Sequence, residues 1–205
     1  MEKYGKLLKK GIIPVVCPES KDELDTIIKA LFLSETEVLE ITLRNSYAFE
    51  SISYIKKSCP ELTVGAGTVN SADTLKRAIE TGADFLVSPG FLDELHEEAK
   101  KANIPFLPGA STPGEILKMS SMGYKILKFF PAECSGGTKA LSLYKGAFSG
   151  VSFVPTGGIT LENVESYLKL DNVLACGGSF MLPKDMLKSG DAEGIKEIIK
   201  QCERK

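Results

Sequence analysis

The chain has 205 residues, 43% of them hydrophobic and 25% charged, which suits a single domain spanning 1–205 in an ordinary soluble globular protein. Its 25 basic and 27 acidic side chains nearly balance, so it is not built chiefly to hold nucleic acid, whose binding footprint is strongly basic. No apolar run approaches the roughly 18–20 residues that span a bilayer, and a transmembrane protein is excluded.

Residues 1–10 mix charges with Leu7-Leu8 and hold no apolar core of signal-peptide length, so the cytoplasm is the expected compartment. Five cysteines are scattered without a C-x-x-C pair, beside a single histidine. That pattern fits neither a zinc site nor a disulfide scaffold, and reduced, mostly structural thiols are expected.

In chain order, short apolar runs alternate with helical patterns. The expected strands are Ile12–Val16, Val38–Leu43, Leu62–Ala66, Phe85–Val87, Pro105–Leu107, Ile126–Phe130, Ser152–Val154 and Val173–Cys176. Between them, Ser20-Lys21-Asp22-Glu23 reads as a capping box opening a helix over Leu24–Leu33. Phe49, Ile52 and Ile55 recur at helical spacing, as do Leu75 with Ile79, and Leu92 with Leu95 and Ala99. Thr112-Pro113-Gly114-Glu115 is a second box with proline at the tolerated first position. Gly82 and Gly123 mark helix stops, and Ala192–Lys205 reads as a packed amphipathic helix. Eight strand–helix units without a linker predict a closed (β/α)8 TIM barrel. A doubly wound open sheet is the alternative.

Catalysis in such a barrel sits at the carboxyl ends of the strands. Alternation along the second strand puts Leu39, Ile41 and Leu43 on a helix-facing side and Glu40, Thr42 and Arg44 on the inner side. An inward glutamate and arginine are either an internal ion pair or an acid/base with an anion clamp. In the sixth strand Ile126, Lys128 and Phe130 share the inner face. Desolvation of an amine among such groups favours its neutral, nucleophilic form, which can condense with a ketone; the bland reading is a lysine snorkelling at the rim.

Glycine-rich turns follow later strands. Thr156-Gly157-Gly158-Ile159 follows the seventh, with Thr160 placed to cap the next helix, and Gly177-Gly178-Ser179 follows the eighth. Turns at those two positions commonly hold phosphate, because bare backbone N–H groups can approach an anion. A third turn, Gly65-Ala66-Gly67-Thr68, could present donors to a carboxylate.

Glu40-Ile41-Thr42-Leu43-Arg44, Gly65–Val69, Ser88-Pro89-Gly90, Lys128-Phe129-Phe130-Pro131-Ala132-Glu133 and Pro155–Ile159 occur in one order along nearly the whole chain. Together they resemble the class I 2-keto-3-deoxy-6-phosphogluconate (KDPG) aldolase family, which includes bifunctional 4-hydroxy-2-oxoglutarate aldolases. The resemblance implies a homotrimeric (β/α)8 enzyme that splits KDPG into pyruvate and D-glyceraldehyde 3-phosphate. It implies Lys128 as the Schiff-base lysine and Glu40 as the general acid/base. Arg44 and Thr68 match carboxylate-holding positions, Phe130 packs beside the pyruvyl group, and Pro89 joins the substrate-binding set. Thr156, Gly157, Gly158, Gly178 and Ser179 match the phosphate end. Imine chemistry implies no metal and no organic cofactor, and the partners are small molecules: a phosphorylated keto-deoxy sugar acid and pyruvate.

Three departures bear on the aldehyde side. The Glu40–Arg44 pattern separates the chain from phosphogalactonate-cleaving relatives, which tend to lack that arginine. Asn45 stands where many close relatives have threonine, and Cys17 stands where some branches carry arginine. Two other classes compete with the aldolase: a phosphate-binding barrel isomerase or epimerase, and a non-catalytic barrel that senses a phosphorylated sugar acid. His96 reads as a surface or interface residue and Cys134 as a passive thiol.

Overall fold

The computed structural model describes residues 11–203. The N-terminal segment 1–10, read above for export signals, and the last two residues of the expected C-terminal helix lie outside the described residues.

Among the described residues nine short strands alternate with helices, except that the fifth passes directly to the sixth. In order they are β1 (Ile12–Val16), α1 (Lys21–Leu33), β2 (Val38–Thr42), α2 (Tyr47–Ser58), β3 (Thr63–Gly67), α3 (Ala72–Glu80), β4 (Phe85–Val87), α4 (Asp93–Lys101) and β5 (Phe106–Leu107). There follow β6 (Gly109–Ala110), α5 (Pro113–Ser121), β7 (Ile126–Phe129), α6 (Gly137–Ala147), β8 (Ser152–Pro155), α7 (Val164–Leu168), β9 (Cys176–Gly178), α8 (Lys184–Ser189) and α9 (Ala192–Cys202). All the ladders among the described residues are parallel, a pairing that needs crossover connections, which the helices supply. Six strands pair in the order β5-β4-β3-β2-β1-β9 and three in the order β6-β7-β8. Isolated parallel bridges, Thr156 with Gly177 and Phe153 with Val173, tie the second sheet to the segment around β9.

The expected fifth strand is split in two. Pro108 has no N–H to give a ladder, so the chain pairs with β4 through Phe106–Leu107 and passes to β7 through Gly109–Ala110. The expected eighth strand is shifted. Val173 lies outside the ladder and forms an isolated bridge to Phe153, and the ladder with β1 runs instead through Cys176, Gly177 and Gly178. Gly178 is therefore strand, not turn. Likewise Gly65, Ala66 and Gly67 belong to β3, and only Thr68 follows it.

Two cores follow from the period-2 alternation. Leu39, Ile41, Leu127, Phe129 and Phe153 are fully buried between strands and helices. Ile13, Val38, Phe85, Leu107, Ile126 and Val154 form a separate apolar layer on the opposite faces of the strands. Truncating Leu39 to alanine, at 0% exposure, is expected to lower stability by about 2–5 kcal/mol in urea unfolding.

The helix signals act as read, with adjustments. Ser20 accepts from the Glu23 N–H, while the Glu23 carboxylate reaches back one residue further, to the Glu19 N–H. Thr112 and Glu115 form the full reciprocal box. Leu92 is 49% exposed, because it precedes α4 as its cap residue and only Leu95 and Ala99 pack inward. Thr160 does not cap α7; the helix starts later, behind Asn163, whose side chain accepts from the Thr160 N–H. His96 is half-buried among Phe91 and Tyr124, with its Nδ1 2.9 Å from the Tyr124 hydroxyl. Cys176 and Cys202 are buried, and burial pushes the Cys202 thiol up to about 11.

Candidate active site

The inner apolar layer stops at Val38 on β2 and Ile126 on β7. Two residues further along the same faces stand Glu40 and Lys128, 3% and 6% exposed. Lys128 Nζ lies 3.6 Å from Glu40 Oε1. Glu40 Oε1 is buried without a hydrogen-bond donor among the described residues. A buried ion pair so poorly satisfied gains little for the fold, because desolvation offsets its attraction. The amine also lies 5.1 Å from the centre of the Phe130 ring.

Room for the carboxylate comes from a neighbouring strand. A side chain at Gly67, paired with Thr42 in the β2–β3 ladder, would put its first carbon 2.2 Å from Glu40 Oε1. The glycines of β3 are thus clearances for the inner layer. Just beyond them Thr68 takes φ of +62°, a conformation costly for a β-branched residue, and its hydroxyl accepts from Arg44 Nε at 3.4 Å.

One layer further out, a cavity of about 650 Å³ opens over the strand ends. Thr42, Arg44, Phe130, Gly157, Gly158 and Ser179 are on its wall, as are Thr156 and Gly178. Gly157 and Gly158 both have positive φ, +94° and +82°, so the turn after β8 presents backbone where side chains would sit. Its geometry is held from three sides. Asn163 Nδ2 donates to the Gly158 carbonyl at 3.0 Å, and the Glu133 N–H donates to that of Gly157 at 3.1 Å. The Glu133 side chain fills the space against Gly158 and accepts from the Tyr167 hydroxyl. Burial raises Tyr167 well above the ordinary phenol range, keeping it a donor.

Most residues expected at the site are therefore gathered here. Thr68 is joined to the wall through Arg44. Pro89, exposed after β4 with its carbonyl against Gly109, lies outside the cavity wall. Asn45 lines the cavity and braces it, donating to the Pro18 carbonyl and accepting from the Ala48 N–H. The reading of the sequence missed Glu19, Glu23 and Lys184, which also line the cavity. The available signal was their place: Glu19 lies in the connection after β1, and Glu23 and Lys184 in the first turns of the helices that follow β1 and β9. Among the described residues no three or more His, Cys, Asp and Glu side chains gather as a metal-ligand group.

Fold and site together define an α/β enzyme with a cavity at the carboxyl ends of parallel strands, above a buried amine and carboxylate. The family model described as KDPG and KHG aldolase matches residues 4–198, and the chain belongs to that family. It is 41% identical over 191 residues to the KHG/KDPG aldolase of Escherichia coli K12, covering 93% of this chain and 90% of that one. It is 40% identical, with the same coverage, to the 2-dehydro-3-deoxy-phosphogluconate aldolase of Dickeya dadantii. A crystal structure of the Legionella pneumophila KDPG aldolase, holding pyruvate as a covalent carbinolamine, superposes with a TM-score of 0.94 at 33% identity. That match covers 100% of this chain and 99% of the other.

Proposed function

We propose that this chain is a class I aldolase that reversibly cleaves KDPG to pyruvate and D-glyceraldehyde 3-phosphate, and that also splits 4-hydroxy-2-oxoglutarate to pyruvate and glyoxylate. The observation that carries the reading is the 3.6 Å approach of two buried groups, Lys128 Nζ and the Glu40 carboxylate.

The steps follow from their placement. Lys128 Nζ attacks the C2 ketone and forms a carbinolamine. Glu40, within reach through one water, moves the protons that expel hydroxide as water and leave an iminium ion. Glu40 then accepts the C4 hydroxyl proton. The C3–C4 bond breaks, the aldehyde departs, and the electron pair enters the iminium to give an enamine. Protonation at C3 and hydrolysis release pyruvate and the free amine. Arg44, steadied by Thr68, meets the keto-acid carboxylate, and Phe130 packs beside the pyruvyl carbons. The Gly157–Gly158 turn with Thr156, Gly178 and Ser179 takes the phosphate.

The same reading closes the two sheets into one eight-stranded barrel in a single domain, 1–205, with β5 and β6 as one interrupted strand. The bridges Phe153–Val173 and Thr156–Gly177, from β8 and the residue after it to the segment around β9, support that closure. It takes the enzyme as a cytoplasmic homotrimer. No helix among the described residues is long and apolar enough to cross a membrane.

A coupled assay for pyruvate release tests the substrate, with KDPG, its galactonate epimer and 4-hydroxy-2-oxoglutarate offered in parallel. KDPG is expected to be cleaved best; preference for the epimer would assign the chain to phosphogalactonate cleavage. Borohydride reduction with pyruvate is expected to leave a covalent adduct on Lys128. No adduct would remove the imine route and favour an isomerase or epimerase.

A further inference from the structure

The cavity wall carries two cations on different sides. Arg44 lies toward β3, where it meets Thr68. Lys184 opens α8, on the side of β9 and the β1–α1 connection, and shares the wall with Gly157, Gly158 and Ser179. Its Nζ donates to Glu19 Oε1 at 2.9 Å, a contact between residues remote in sequence. Both side chains are largely exposed, 76% for Lys184 and 51% for Glu19. Such a pair adds little to the fold, since water and salt screen it and two long side chains must be held still. It is nevertheless built into the rim of the cavity, and nothing in the aldol chemistry above uses it.

We propose that Lys184 is a specificity-determining residue for phosphorylated substrates: it exchanges the Glu19 carboxylate for the phosphate seated at the Gly157–Ser179 end. The inference rests on the aldolase reading and names a selector within that site. The exchange has a direction. A phosphate monoester near neutral pH carries almost two negative charges against one on Glu19, and offers three acceptor oxygens. Glu19 is not abandoned when Lys184 turns away, because Lys188, one helical turn on along α8, also acts on it electrostatically. An unphosphorylated keto acid brings no dianion to this end, and Lys184 stays with Glu19. The pair therefore favours ligands with a terminal phosphate over shorter ones without it.

The test compares kcat/KM for KDPG with kcat/KM for 4-hydroxy-2-oxoglutarate in Lys184→Met, Lys184→Arg and Glu19→Gln. Lys184→Met is expected to lower the ratio about tenfold, the worth of one charge-assisted contact, through KM and not kcat. Lys184→Arg retains the ratio, and Glu19→Gln raises it about two- to threefold by freeing the cation. Opposite signs for Lys184→Met and Glu19→Gln are the signature of exchange. If both lower the ratio, the pair only holds the rim together and the proposal fails. Phosphorus NMR titration with inorganic phosphate reads the same site without turnover, and Lys184→Met should weaken that binding as well. Unchanged phosphate binding would overturn this inference, whereas failure of the unaltered chain to release pyruvate would overturn the aldolase reading instead.

Discussion

Lys128→Met is expected to reduce pyruvate-forming turnover by about 10⁵-fold or more, the scale of loss when a covalent nucleophile is removed. Methionine keeps the length and apolar stem of the side chain but cannot form a carbinolamine. Inorganic phosphate should still bind, because the turn after β8 and the residues after β9 are held by Asn163, Glu133 and the β1 ladder. A second consequence is energetic. With both side chains almost wholly buried, loss of the amine strands the Glu40 carboxylate, a change that costs about 3–5 kcal/mol in comparable buried pairs. The double variant Lys128→Met with Glu40→Gln is therefore expected to regain most of that stability in urea unfolding while remaining inactive. Equal stability in the single and double variants would mean that the two groups are not coupled as their 3.6 Å separation indicates. Residual turnover near the unaltered rate in Lys128→Met would end the imine mechanism.

Glu40→Gln is expected to lower kcat by about 10²–10⁴-fold, the usual contribution of a positioned proton carrier. Glutamine fills the same space but cannot take the C4 hydroxyl proton. Lys128 remains a competent amine in this variant, so borohydride trapping with pyruvate should persist, slowed but detectable. That separation distinguishes a proton carrier from a residue that merely holds the lysine. Gly67→Ala reaches the same group from the neighbouring strand. Its new carbon would lie 2.2 Å from Glu40 Oε1, so the carboxylate must shift. Misplacement by about 1 Å is worth roughly a hundredfold in rate, and kcat should fall by that order with Lys128 unaltered. If Gly67→Ala left kcat unchanged, the position of the carboxylate would not matter to the reaction.

The strands were legible because alternation is a local property of extended backbone: successive side chains must point to opposite faces. Leu39 and Ile41 against Glu40 and Thr42, or Leu127 and Phe129 against Lys128, are enough to separate the helix-facing side from the other. Capping chemistry is local too, which is why Ser20 and Thr112 open helices as read. Glycine misled in one direction. In β3 and β9 it reads as turn by conformational freedom, yet there it answers to space: Phe85 and Glu40 fill the room beside Gly65 and Gly67, and Thr156 that beside Gly177.

From the chain of residues alone came the family resemblance, the order of strand and helix, and the inward set that includes Glu40 and Lys128. Each depends on neighbours in sequence or on motif order. Only the folded arrangement decided that Glu40 and Lys128 come within 3.6 Å, that Pro89 stands off the cavity, and that Glu19 and Lys184 meet across its rim. Those distances join groups on separate strands and helices, and they are set by ladder register and by the packing of side chains between layers. No local preference of the backbone encodes them.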